Sequence, residues 1–300
     1  MNADVAGRRV AVIGAGNMGG AIAAHLLEQG WVVRVRDIDA ARVDALVRLG
    51  GVACCSGADA AQGCDAVIVC VVDAQQSRGV LFGAEGAAGV MKLGQAVVLC
   101  PTISPGDVEA IAEELQRRGV ACIDAPMSGG PARARDGSMS LMVACGDSAF
   151  EAQRPLLEAI SHNIFRISQR AGDGARTKLV NNLLAGINLA GAAEVMALAQ
   201  RMGLDLAATL DVIERSSGQS WIGSDRMRRA IAADYAPRAH VTLLAKDTRL
   251  AVEAAHAAGF EGALGPIARD VYARAIDAGL AGLDDAALFK LYSRDVDSGV

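Results

Sequence analysis

Short β-branched runs recur along the first half of the chain: RVAVI (9–13), VVRVR (32–36), AVIVCVV (66–72), AVVLC (96–100), VACID (120–124), SLMVAC (140–145) and NIFRI (163–167). Between them the apolar positions move to helical spacing, as in Ala21, Ile22, His25 and Leu26, or Val108, Ile111, Ala112 and Leu115. This alternation predicts an α/β domain built on a mostly parallel, doubly wound sheet with helices on both faces. After Ile167 the strand signal stops. The remainder is Ala-rich with a period of 3.6, and predicts a long helix over 174–202 and further helices near 205–216, 224–233, 240–258, 264–279 and 284–292. Breaks such as Ser216-Ser217-Gly218 and Gly259 separate them. The expected organisation is a first domain at 1–168 and an all-helical second domain at 169–300, joined by a helix long enough to bridge them.

Composition narrows the classes. With 300 residues, 52% apolar and 21% charged, the chain has material for two buried cores and fits neither a disordered nor a fibrous protein. No uninterrupted run of about 18 apolar residues is present, so no transmembrane helix is expected. The N-terminal MNADVAGRRVAVIG has no signal-peptide core, and a cytoplasmic location is expected. The formal net charge of −5, without a basic run, argues against nucleic acid or membrane as a partner. The seven cysteines all lie in the first half with no C-x-x-C pair, which suits small buried thiols in a reducing compartment.

Gly14-Ala15-Gly16-Asn17-Met18-Gly19 follows the first strand and opens a helix, the context in which a G-x-G-x-x-G pattern binds a dinucleotide. Glycines permit the tight turn, and the helix N-terminus presents N–H groups to a pyrophosphate. Asp37, at the end of the second strand, suits the adenosine ribose hydroxyls and would repel a 2'-phosphate, which favours NAD over NADP. Arg34 and Arg36 could offset that repulsion, yet they fall on the opposite strand face. Ile38 follows the acid, and Val71 and Val72 end the 66–72 run.

Asp124-Ala125-Pro126-Met127-Ser128-Gly129-Gly130-Pro131 offers a hydroxyl and backbone amides to a carboxylate, although a plain Gly/Pro turn has the same spacing. Gly172-x-Gly174-x-x-x-Lys178-x-x-Asn181-Asn182 starts the long helix and sets Lys178 and Asn182 on one face. Burial beside a nicotinamide cation would bring Lys178 toward the working pH as an acid/base, whereas a solvated lysine would have no such role. Lys246-Asp247 is a second interior charge pair with the same two readings. The four histidines, His25, His162, His240 and His256, show no catalytic or metal spacing, and no metal is expected. Trp221 reads as a packing anchor or a substrate contact.

Taken in order, Gly14–Gly19, Thr102, Asp124–Gly130, Gly172–Asn182 and Lys246-Asp247 resemble the β-hydroxyacid dehydrogenase family, over nearly the whole chain. The resemblance implies a Rossmann domain followed by a helical domain and an NAD-dependent oxidation of a small hydroxy acid. It makes Lys178 the catalytic residue, Asn182 and the Ser128-Gly129-Gly130 loop the substrate contacts, and Ile38, Val71, Val72, Thr102 and Lys246 neighbours of the cofactor. It also implies a homodimer or homotetramer. The chain departs from the family at Pro101, where a serine usually precedes the threonine, and at Val71-Val72-Asp73, where many members have Leu-Pro. Val80–Gly83 and Asp284–Ala287 look most like the branch acting on L-threonate, which points to a C4 sugar acid as substrate; 3-hydroxyisobutyrate oxidation and tartronate or succinic semialdehyde reduction are the enzymatic alternatives. A dinucleotide sensor without activity is the alternative outside enzymes, and retention of Lys178, Asn182 and Ser128 speaks against it.

Overall fold

The computed structural model of the chain describes residues 7–293; the first residues of the segment used above to argue against a leader lie outside them. The chain divides into two compact units, Met1–Lys178 and Leu179–Val300.

In the first unit the elements run β1 (Arg9–Ile13), α1 (Asn17–Glu28), β2 (Val32–Arg36), α2 (Ala40–Val47), β3 (Val52–Ala53), α3 (Gly57–Ala61), β4 (Ala66–Val69), α4 (Ala74–Phe82), β5 (Ala96–Leu99), α5 (Pro105–Arg117), β6 (Ala121–Asp124), β7 (Met127–Ser128), α6 (Gly130–Arg135), β8 (Ser140–Ala144), α7 (Asp147–Ile160) and β9 (Asn163–Ser168). They form one sheet in the order β3-β2-β1-β4-β5-β6-β8-β7, with β9 on β8. β1 to β6 are parallel, and β8 runs antiparallel to β6 and β7. This is the doubly wound sheet the sequence predicts, with two strands added: β3 and β7 have two residues each, too few to show alternation. Successive residues of the central strands divide between two cores, Val10, Val12, Ile68 and Val98 on one face and Ala11, Ile13, Val67 and Val97 on the other. Strands buried on both sides read as continuous apolar runs for that reason. The strand order reverses at β1, so its carboxyl end opens onto the crevice where α/β sheets bind ligands.

The long helix α8 (Asp173–Arg201) begins in the first unit, and α9 (Leu206–Glu214), α10 (Trp221–Ile231), α11 (Val241–Ala257) and α12 (Leu264–Asp277) follow. The core of the second unit gathers Leu189, Met196, Leu210, Met227, Leu244 and Tyr272. Gly186 lets α8 lie against its neighbours, because a Cβ there would sit 2.6 Å from Thr248 Cγ2. α10 starts at Trp221, earlier than the sequence suggests, because Ser220 accepts from the Gly223 amide as N-cap. The last expected helix is instead a 3-10 segment, Asp285–Leu291. Buried ion pairs, Arg226 with Asp285 at 2.5 Å and Arg229 with Asp284 at 2.8 Å, hold its start.

α8 is long and apolar enough to cross a bilayer by length and composition alone, a test that the core helix of a soluble protein also passes. Glycine and asparagine interrupt its apolar run in the sequence, yet an 18-residue window within the helix stays apolar on average. Leu189, Ala193, Met196 and Ala197 are buried in the second unit's core, the pattern of a core helix.

Candidate active site

The turn after β1 is built for close backbone approach. Gly14 has φ +96°, and a Cβ on it would lie 2.6 Å from the Cys70 carbonyl oxygen; one on Gly19 would lie 1.9 Å from the Gly14 carbonyl oxygen. Only glycine fits either position. Gly16 is the N-cap of α1, with no side chain to cap the helix and no acidic residue in the first turn. The end of α1, with Asn17 and Met18 in its first turn, therefore carries a positive dipole that no carboxylate of its own neutralises. Such a helix end suits an anionic group, of which a dinucleotide's pyrophosphate is one.

Asp37 is buried beside the turn: its Oδ2 accepts from the Ala15 amide at 2.5 Å and its Oδ1 from the Asp39 amide at 2.8 Å. The carboxylate thus pins the glycine turn to the end of β2, a structural part the sequence reading did not assign. Arg34 is committed to Asp59 at 2.7 Å and to backbone carbonyls of α3, and Arg36 donates to the Asp37 carbonyl. Ile38 is 94% exposed and Val72 53% exposed, apolar surface at the ends of β2 and β4, with Val71 half-buried. Asp73 caps α4 through the Gln76 amide at 2.7 Å. Thr102 is half-buried just beyond β5.

Past β6 the backbone turns through Ser128 into Gly129, at φ +132°, and Gly130, at φ +77°. Lys178 is buried in the second turn of α8, with 7% of its surface exposed. Asp124, 1% exposed, sends its carboxylate to the start of the same helix and accepts from the amides of Gly172 at 2.8 Å and Ala175 at 3.1 Å. Burial pushes its carboxyl up to about 6, against the pull of the amides of Ala175, Gly172 and Gly174.

In the second unit the interior charges converge. Asn182 donates to Asp247 Oδ2 at 2.6 Å, and Lys246 Nζ lies 3.2 Å from Asp247 Oδ1. Asn181 in turn donates to Asn182 Oδ1 at 3.0 Å. Asp247 orients an asparagine 65 positions away, a link the dipeptide spacing could not reveal. Trp221 is 49% exposed with the Arg226 guanidinium over its ring. His25 and His162 both lie beside Gly137. Burial raises the thiols of Cys54, Cys64 and Cys145, the behaviour of packed thiols, while Cys55 is exposed.

Two family descriptions match the chain: the NAD binding domain of 6-phosphogluconate dehydrogenase over residues 9–168, and the NAD-binding domain of NADP-dependent 3-hydroxyisobutyrate dehydrogenase over residues 172–292. L-threonate dehydrogenase of Cupriavidus necator is 38% identical, over 95% of this chain and 96% of its own. NAD-dependent L-serine dehydrogenase of Pseudomonas aeruginosa is 35% identical over 95% and 98%. The crystal structure of 3-hydroxyisobutyrate dehydrogenase from Salmonella typhimurium superposes with a TM-score of 0.89 at 36% identity, over 95% of this chain and 100% of that one. With the glycine cradle, the buried lysine and these matches over both halves, the chain belongs to the β-hydroxyacid dehydrogenase family, the NAD-dependent oxidoreductases of small hydroxy acids.

Proposed function

We propose that this enzyme oxidises L-threonate with NAD, Lys178 carrying the proton. The observation that carries the reading is the buried lysine at the start of α8, one turn before an asparagine fixed by Asp247, in a chain whose similarity to L-threonate dehydrogenases spans 95% of its length. Gly14, Gly16, Asn17, Met18 and Gly19 hold the pyrophosphate, Asp37 the ribose hydroxyls, and Ile38, Val71, Val72, Thr102 and Lys246 border the rest of the dinucleotide. When bound, NAD supplies the hydride acceptor at nicotinamide C4. Ser128 and the amides of Gly129 and Gly130 hold the substrate carboxylate, and Asn182 orients its hydroxyl. The neutral amine of Lys178 takes the hydroxyl proton as the carbinol C–H bond breaks; in reverse, its ammonium protonates the forming alkoxide. Asp37 favours NAD over NADP, supported by the commitment of Arg34 to Asp59. The exposed stripe Leu184, Val195 and Leu198 on α8, continued by Met202 just past its end, supports association of copies as a dimer or tetramer. Seven free cysteines suit the cytoplasm.

The test is a panel of L-threonate, 3-hydroxyisobutyrate, L-serine and glycerate with NAD, read as NADH absorbance. L-threonate is expected to give the highest kcat/KM. A much larger value for 3-hydroxyisobutyrate or L-serine overturns the substrate assignment.

A further inference from the structure

Asp124 is a buried carboxylate whose hydrogen-bond partners are backbone amides, and its neighbour Asp173 is another acid. A buried anion is expensive, and a neutral side chain of the same volume would fill the space at lower cost. What the charge adds is a bond to the positive end of α8, which starts after a glycine and so has no capping side chain at that position. The cap comes from 48 positions away, from the last residue of β6. Four residues further along the same backbone stands Ser128. One residue therefore joins the loop proposed to hold the substrate carboxylate to the helix that carries Lys178.

The fit at this joint is tight. A Cβ on Gly174 would lie 2.9 Å from the Asp124 carboxylate and 2.9 Å from the Met142 carbonyl oxygen, so the first turn of α8 is pressed onto β6 and β8. Further tethers of that turn lie nearer the surface: Arg176 to Glu109 at 2.7 Å, about 40% exposed at both ends, contributes little, and the Ser168 hydroxyl donates to Asp173 at 2.8 Å. Because a helix is stiff over one turn, a shift of Gly172–Ala175 passes directly to Lys178, three residues on.

We infer that Asp124 is a positioning residue for the reaction, its carboxylate fixing the first turn of α8 and with it the place of the Lys178 amine. The inference rests on Lys178 being the proton carrier. It is tested with the hydroxy acid turned over best. Asp124→Asn keeps the shape and one oxygen acceptor but removes the charge that holds the helix end; kcat is expected to fall about tenfold or more, as for a reacting group displaced by a fraction of an ångström, with KM and the Kd for NAD within about twofold of the parent. Gly174→Ala, which crowds the carboxylate from the other side, is expected to give the same split and serves where Asp124→Asn does not fold. In a Lys178→Ala background neither change should lower kcat further. A lowered Tm with kcat retained, or an equal loss of kcat in the Lys178→Ala background, overturns the inference. Lys178→Ala alone with near-parental turnover instead removes the reading of Lys178, independently of Asp124.

Discussion

The first turns of α1 and α8 are the same element used in opposite ways. Each follows a glycine, so neither receives a cap from the residue before it. At α1 no acid stands in the first turn, and the nearby carboxylate of Asp37 is engaged with the amides of Ala15 and Asp39. At α8 the amides of Gly172 and Ala175 are taken by Asp124. A helix end left to the ligand binds an anion; a helix end plugged by the protein's own anion cannot bind one and becomes a rigid mount. On the function proposed above, the difference separates holding the dinucleotide from placing the proton carrier.

The largest effect expected of this division is at Lys178. Lys178→Ala should lower kcat by about a hundredfold to ten-thousandfold, the range for loss of a positioned acid or base, while the Kd for NAD stays within a few-fold because the cradle is built elsewhere. Lys178→Arg should restore little, since a guanidinium does not give up its proton near neutral pH. Steady-state kinetics and NAD titration measure both; turnover of the alanine variant within a few-fold of the parent would make Lys246 the next residue to replace.

The two helix ends were unequally legible. The α1 turn announces itself, because every functional demand on it is a demand for glycine or for an acid at a fixed distance, and both are local in sequence. The plug of α8 is silent: Asp124 sits in a loop motif read for its serine and glycines, and its partners lie about 50 positions on. Asp247 is silent in the same way, since only folding brings it to Asn182. Strand and helix periods marked the sheet and most helices, whereas β3, β7 and the 3-10 segment at Asp285–Leu291 escaped because two residues show no period and a 3-10 turn held by buried arginines looks like a helix.

The next largest effect makes α1 resemble α8. Gly16 has an ordinary φ of −65°, and a Cβ there meets only Arg42 Nη1, at 3.5 Å, so an aspartate can be accommodated. Gly16→Asp would place a carboxylate on the amides proposed to hold the pyrophosphate. The apo protein should keep its Tm or gain a little, since aspartate is a favoured N-cap and differs from glycine there by only a few tenths of a kcal/mol. Affinity for NAD should fall about a hundredfold, because like charges in contact cost several kcal/mol. Thermal melts check the first and calorimetric titration the second; unchanged NAD affinity would mean that α1 does not face the pyrophosphate.

The smallest effect concerns the acid beside α1. Asp37→Asn keeps the side-chain shape and one oxygen acceptor, so either the Ala15 or the Asp39 amide can still be held. What it removes is charge. A charge-assisted bond to a ribose hydroxyl becomes a neutral one, which is worth about 1 kcal/mol or roughly fivefold in the kcat/KM for NAD. NADP gains over the same change, because its 2'-phosphate no longer meets a carboxylate. The preference for NAD should therefore narrow from both sides, with kcat at saturating cofactor nearly unchanged because Lys178 is untouched. Measured kcat/KM values for the two cofactors in parent and variant decide it: a parent enzyme faster with NADP than with NAD would show that Arg36 or Arg42, and not Asp37, governs the ribose.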